Sequence, residues 1–400
     1  MKVLVVGAGA AGQVICTHLA RAHDLDVLKI ADIDLRKLRQ FSGWLKHDKV
    51  STHKLDAGNV DAVAKLARGV DVLVNALEPR FNLALMAAAF HSGTDYQDMA
   101  FGPPYETLDK ELKRNAKWRK AGLTAITASG NAPGITNIVA AKACDKLDSV
   151  EGIEIRLVST LISSEVLATW SPATMIQDMK SEPVVYENGQ FEKVPPFSGE
   201  EVYAFPEPIG SQIVSYHAHE EPHTLPRFIG KGIKYVGFKY GVNRLMKELL
   251  QIGLLSDQPI RVKGVRVAPL DIVISCYPKP LGAAELCAKI QAGIIRGSIG
   301  CDAIDVWGKK DDKEARHTFY VRWPDVLTIN KDMPHATHTS YMAGTGAEVL
   351  TEELARGEIK TVGVVAPECL ERKVRESFLN ELPQRKIVLE ETQQPAPEAQ

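Results

Sequence analysis

The chain has 400 residues, of which 45% are hydrophobic and 24% charged, and carries a net charge of −2. That is room for two domains of ordinary globular composition. Lysine and arginine (48) nearly balance aspartate and glutamate (50), so no basic field recruits nucleic acid, and no apolar run reaches the roughly 20 residues of a membrane helix. A cytoplasmic protein acting on a small molecule, without nucleic-acid or membrane partners, is the expectation, since Met1 to Val6 reads at once as a strand with no cleavable segment before it. Cys16, Cys144, Cys276, Cys287, Cys301 and Cys369 form no CxxC pair and read as reduced, mostly buried thiols.

In chain order, apolar runs alternate with helical patterns. Lys2–Val6, Asp26–Ala31, Ser51–Leu55, Val70–Leu77, Asp95–Met99 and Thr124–Ala128 read as strands. Helices lie between them, including Leu83–Ser92 and one charged helix over Tyr105–Ala121. Strands that are continuously apolar rather than alternating are covered on both faces, which predicts an α/β fold with a doubly wound parallel sheet. After about residue 150 the texture becomes α+β. Val150–Val158, Ile213–Tyr216, Ile233–Phe238 and Val265–Val267 read as strands, Glu182–Phe205 as a proline-bearing loop, and Ile299–Trp307 with Arg316–Trp323 as a hairpin. Helices are predicted over Gly344–Leu354 and Leu370–Leu382, and the polar Glu390–Gln400 is predicted to be disordered.

Gly7-Ala8-Gly9-Ala10-Ala11-Gly12 fits GxGxxG between the first strand and helix, and Asp32 ends the second strand twenty residues beyond Gly12. Gly7 permits the tight turn, Gly9 the approach of backbone to pyrophosphate, and Gly12 close helix packing; the helix N-terminus at Ala10 and Ala11 offers free N–H groups to the anion. This is a Rossmann dinucleotide site. Asp32, with Ile33 beside it, would bind the adenosine ribose and favours NAD, while nearby Arg36 and Lys37 leave NADP open. Asn75, Ala76, Leu77 and Pro79 follow the fourth strand, where loops approach the nicotinamide half.

Further segments resemble the saccharopine dehydrogenase superfamily: Gly93 to Asp98, Asn131-Ala132-Pro133-Gly134-Ile135-Thr136-Asn137, Thr169-Trp170-Ser171-Pro172, His219 to Pro226 and Gly363 to Glu368. The resemblance implies a Rossmann domain (1–130), an inserted α+β domain for substrate and dimer contacts (131–343), a helical return to the first domain (344–385) and a flexible tail (386–400) in a homodimer. It also implies oxidation or reduction at a C–N bond of an amine or amino acid. Ala132 replaces an Asp typical of saccharopine reductases and carboxynorspermidine synthases, and Phe101 a Tyr typical of saccharopine reductases, so the chain looks less like those two and more like the L-lysine 6-dehydrogenase branch, although Ser159 to Glu165 stands where that branch has a glycine-rich loop.

Amine chemistry with a dinucleotide needs an uncharged nitrogen and therefore a base beside it. Asp98, at the end of a Rossmann strand, and His219 with Glu220 are the candidate catalytic groups. In an extended segment His217, His219 and Glu221 would share a face. Trp170, His217, Thr224 and Arg227 are candidate substrate contacts, Arg227 as a bidentate partner for a carboxylate; Trp170, Tyr203, Phe205, Tyr216 and Phe228 could wall an apolar pocket. No metal is expected, although His217, His219 and His223, or His335 and His338, have ligand-like spacing. Two other readings stay open: reductive condensation of an amine with an aldehyde or 2-oxo acid, as in saccharopine or carboxynorspermidine formation, and a dinucleotide-binding sensor without turnover.

Overall fold

The computed structural model describes residues 1–102 and 105–394. Six strands, β1 (Lys2–Val6), β2 (Val27–Asp32), β3 (Val50–Lys54), β4 (Val72–Asn75), β5 (Asp95–Asp98) and β6 (Thr124–Ile126), build the first sheet. The next six are β7 (Ser149–Ser163), β8 (Val184–Glu187), β9 (Gln190–Lys193), β10 (Glu201–Phe205), β11 (Gly210–Tyr216) and β12 (Tyr235–Gly241). A separate hairpin, β13 (Ile260–Val262) and β14 (Val265–Val267), precedes the long β15 (Ile295–Lys310) and β16 (Lys313–Arg322). The chain then adds β17 (Gly363–Val365) to the first sheet and β18 (Val388–Gln394) to the second.

All first-sheet pairs are parallel, in the order β17-β6-β5-β4-β1-β2-β3. The strand order reverses at β1, which makes the crevice beside it the dinucleotide site of a doubly wound sheet. The second sheet runs β10-β11-β12-β7-β15-β16-β18, antiparallel except for β12 against β7. Helices Ile135–Cys144 and His338–Ala355 lie between the two sheets, buried along almost their whole lengths. One apolar core therefore runs from Val3 and Val5 on β1 to Ile153, Ile155, Ile304 and Phe319 of the second sheet.

Local chemistry explains where elements differ from expectation. Glu182–Phe205 contains β8, β9 and β10 rather than a loop: Asn188-Gly189, both at positive φ, is the two-residue turn that hairpins favour. The charged Tyr105–Ala121 pattern is two helices, Glu106–Leu112 and Asn115–Ala121: the first tightens at its end, where Arg114 N bonds Glu111 O, and the Asn115 side chain that opens the second accepts the N–H of Val364 on β17. Part of the expected flexible tail is ordered as well. β18 pairs along β16, and Glu391 takes Lys146 and His317, so a polar edge strand is held through its backbone and ion pairs; residues 395–400 lie outside the described residues. Cys16, Cys144 and Cys301 are buried, and Cys276 is exposed. Among the described residues no helix is long and apolar enough to cross a membrane.

Candidate active site

The glycine loop is shaped for a dinucleotide. Gly7 has φ +112°, and a Cβ there would lie 2.6 Å from Ala76 O; at Gly12 it would lie 2.0 Å from Gly7 O. A Cβ at Gly9 would meet nothing within 4 Å, so the space before the helix Ala10–Arg21 is open for a phosphate. Asp32 is buried, accepts Ala8 N at 2.8 Å and Asp34 N at 2.9 Å, and has Lys37 Nζ at 3.9 Å. It thereby ties the loop to β2. Ile33, 64% exposed, offers an apolar surface beside it. The Asn75 side chain is fixed internally by Asn82, Tyr96 and Leu77 N, and Pro79 opens a 3-10 turn, while Ala76 and Leu77 pack against Gly7.

Asp98 is fully buried inside the first domain. Its Oδ1 accepts Ala128 N at 2.9 Å and Thr127 Oγ1 at 3.2 Å, and its carbonyl takes Ser129 N and Oγ. Burial, then the neighbouring Glu111 carboxyl, raise its pKa well above the carboxylate range. The structure thus uses Asp98 to anchor the segment after β6 and does not bring it to the histidine cluster.

That cluster forms where the sheet face toward the first domain becomes polar. His219 stacks on Phe238 of β12 (3.8 Å between centroids), and its Nδ1 donates to Glu221 Oε2 at 2.5 Å with Glu220 Oε2 at 3.5 Å. Glu221 does not continue an extended segment; it opens the helix Glu221–Phe228 and takes a second bond from Thr136 Oγ1 at 2.7 Å. Glu220 accepts Gly102 N, bringing the loop after β5 over the site. Burial alone would lower the pKa of His219; the carboxylates of Glu221, Glu220 and Asp178 outweigh it and raise the value to about 9. Burial, reinforced by Glu221 against His219, lifts Glu220 to about 7, and burial with Glu220 lifts Asp178 to about 8. His217, 5.2 Å from the Tyr240 ring, falls to about 3 through burial and the charge of His219.

Sequence reading missed Asp178, Tyr240, Asn131 and Asp302. Asp302, on β15 and fully buried, accepts Trp323 Nε1 at 2.8 Å, and Asn131 Nδ2 approaches both of its oxygens at 3.3 Å. Burial raises its pKa to about 7, against these hydrogen bonds. Asp178, Tyr240 and Asp302 carry no motif, and Asn131 opens the Asn131–Asn137 motif without having been given a role; the helix Pro172–Lys180, β12, β15 and the segment after β6 deliver the four from distant parts of the chain. Among the described residues no lysine or arginine forms a salt bridge with Asp178, Glu220 or Asp302; the cationic partner of Glu220 is His219.

Several expected substrate contacts lie elsewhere. Arg227 pairs with Asp109 at 2.6 Å on the surface. Thr224 is buried and receives Asn137 Nδ2, which also bonds Glu368. Trp170 packs with Met175, Ile176 and Met246, whereas Tyr203 and Phe205 pack around Val158 on the opposite sheet face and Tyr216 meets Tyr235, so these aromatics do not form one wall. His223 stacks on Tyr105, His335 meets Thr17 and Trp44, and His338 meets Ser159, so neither proposed histidine set is gathered. His219, Glu220 and Glu221 do bring ligand-capable atoms within 4.8 Å of one another, with His219 Nδ1 taken up by Glu221. A cavity of about 510 Å³ lies apart from all these residues, lined by His18, Tyr341, Glu348 and Arg385 among others. Its charges are already matched, Arg385 holding Glu348 by two 2.8 Å bonds, so the interdomain cluster is the better candidate.

A parallel dinucleotide sheet joined across one cleft to a second, mixed sheet with titratable groups at the junction is the architecture of a NAD(P)-dependent oxidoreductase. The chain belongs to the saccharopine dehydrogenase family: residues 3–126 match its NADP binding domain and residues 130–388 its C-terminal domain. It is similar to carboxynorspermidine synthase of Vibrio alginolyticus (28% identity, covering 96% of this chain and 95% of that one). A carboxyaminopropylagmatine dehydrogenase of Synechocystis is 25% identical over 91% of both chains. Among solved structures, saccharopine dehydrogenase (L-Glu forming) of Saccharomyces cerevisiae has a TM-score of 0.73 at 16% identity, covering 98% of this chain and 100% of that one. Homospermidine synthase of Legionella pneumophila, in complex with NAD, reaches 0.67 at 14% identity, covering 98% and 91%.

Proposed function

We propose that this enzyme joins a cationic amine to a carbonyl compound and reduces the resulting C=N bond with NAD(P)H, rather than oxidising lysine at its ε-carbon. The relatives' names support this reading, since carboxynorspermidine and carboxyaminopropylagmatine are both named as carboxylated derivatives of an amine. The observation that carries it is the charge of the cleft. Asp178, Glu220, Glu221 and Asp302 gather around His219, with His217 beside it, and among the described residues no lysine or arginine forms a salt bridge with these four carboxyls. A site short of positive charge is completed by an ammonium group.

The amine must lose a proton before it attacks the carbonyl carbon. Glu220, poised near 7, accepts that proton, and protonated His219, held by Glu221, donates one to the carbinol oxygen as it leaves as water. NAD(P)H, when bound at the glycine loop, supplies the hydride that reduces the C=N carbon. Amine, aldehyde, NAD(P)H and a proton thus give secondary amine, NAD(P)+ and water. Asp32 favours NAD, while Lys37 lies where it can partly offset that preference.

The test is cofactor oxidation by the purified enzyme with pairs of amines and amino-acid aldehydes or 2-oxo acids. Consumption of NAD(P)H only when both partners are present is the expected result. Reduction of NAD+ by lysine alone would return the assignment to lysine 6-dehydrogenase, and dinucleotide binding without turnover in either panel would point to a sensor.

A further inference from the structure

The segment after β6 is clamped on nearly every side. Asp98 holds Ala128 N and Ser129, Ala128 adopts φ +61°, Gly130 O accepts Ile135 N, and Asn131 O accepts Thr136 N and Oγ1. Gly346 of the helix His338–Ala355 packs so closely that a Cβ would lie 2.0 Å from Gly130 O. A non-glycine residue at positive φ in a loop held through its backbone is strain maintained by its surroundings, a pattern that concentrates at ligand sites. At the end of this loop the Asn131 amide is aimed by the other domain: its Nδ2 lies between the two oxygens of Asp302, themselves steadied by Trp323. Its Oδ1 is buried and has no donor among the described residues. Leaving a buried acceptor unpaired is costly, and of the buried side-chain atoms without a partner Asn131 Oδ1 is one that stands at the junction of the two domains.

Position identifies the missing donor. Asp32 on β2 marks the adenosine side of β1, so the loops of β4, β5 and β6 on the other side meet the nicotinamide half. Asn131 follows β6, three strands and about 14 Å from β1. We propose that Asn131 orients the nicotinamide ring, its Oδ1 accepting an N–H of the carboxamide while Asp302 of the second domain fixes the amide's direction. The dinucleotide's reactive face would then be set by a residue whose geometry depends on both domains. This inference needs only the dinucleotide site and is independent of which amine reacts.

The experiment compares, by titration calorimetry, the binding of NAD(P)+, its 3-acetylpyridine analogue, which has a methyl ketone in place of the carboxamide, and ADP-ribose, which has no ring. Wild-type protein should bind the analogue about tenfold more weakly than the natural cofactor, the loss of one well-placed hydrogen bond. Asn131→Ala and Asn131→Ser should bind both alike, with ADP-ribose affinity unchanged. Equal binding of cofactor and analogue by the wild type, a comparison that needs no variant, overturns the proposal. So does full discrimination retained by a folded variant. A variant with unchanged cofactor affinity but a raised KM for the amine would assign Oδ1 to the substrate nitrogen instead, and also overturns it.

Discussion

His219 lies against Phe238 and Glu221, two environments that move its basicity in opposite directions, and the carboxylate wins. Its value of about 9 stands above the 6.5 of the unfolded chain, so the stability gained from this pair is complete below about pH 6.5 and lost as pH rises through about 9. For catalysis the same group sets the alkaline limb, because it must be protonated to donate, and Glu220 sets the acid limb near 7 because it must be ionised to accept. A bell-shaped kcat/KM between roughly those values is expected. Glu221→Gln removes the carboxylate but keeps the burial, so the alkaline limb should move to lower pH; the pH–rate profile of the variant checks this, and an unmoved limb counts against the pair. Loss of one partner of a buried ion pair should also cost about 3 kcal/mol, read from denaturant melts. Glu220→Gln should lower kcat by about 10²–10⁴-fold, measured near neutral pH, and should abolish the acid limb.

At the scale of elements, close backbone approach decides more than side-chain contact. The helix His338–Ala355 reaches both the glycine-loop helix and the loop after β6 because Gly344 and Gly346 face them: a Cβ at Gly344 would lie 2.8 Å from Ala11 O, and one at Gly346 2.0 Å from Gly130 O. Gly346→Ala must therefore displace the loop that carries Asn131. A stability loss of about 1–3 kcal/mol with weaker NAD(P)H binding is expected, measured by thermal melting and cofactor fluorescence. β18 makes the complementary case. Removing the chain from Val388 onward takes away an edge strand of the second sheet and should cost roughly 1–3 kcal/mol, while leaving dinucleotide affinity unchanged, since the first sheet keeps all its strands. A truncated protein melting like the full chain would show that the edge pairing contributes nothing.

For the whole molecule, the two sheets share one core, and surface ion pairs across their junction add little to it. Arg227 and Asp109 link the domains from positions 30% and 51% exposed, so Arg227→Ala should change stability by no more than about 1 kcal/mol. It should also leave the KM of every substrate unaltered, in contrast to the carboxylate-binding role that its place after the His219 motif suggests. Steady-state kinetics with the amine and the carbonyl partner varied in turn separates these outcomes.

The glycine loop, Asp32 and the alternation of short apolar strands were legible in the sequence because each is a local rule: a turn that only glycine allows, an acid at a strand end, a period set by burial on both faces. His219 and Glu220 stood out for the same reason, as a dense polar run. The positions of Asp178, Tyr240 and Asp302 carry no local mark, and Asn131, though inside a recognisable motif, carries none that gives its role. Their meaning arises when β15 and β12 flank β7 and the second sheet is laid against the first domain. Likewise, nothing near Asp98 in the chain distinguishes a catalytic base from a loop anchor; the Ala128 and Ser129 groups it holds lie about thirty residues away. Sequence by itself determined that a dinucleotide binds and where its phosphates lie, since that site is built from one continuous strand, turn and helix. Only the tertiary structure decided which carboxyls share the cleft and which cations are spent elsewhere, because charge in a buried site depends on what is brought together, not on what is adjacent in the chain.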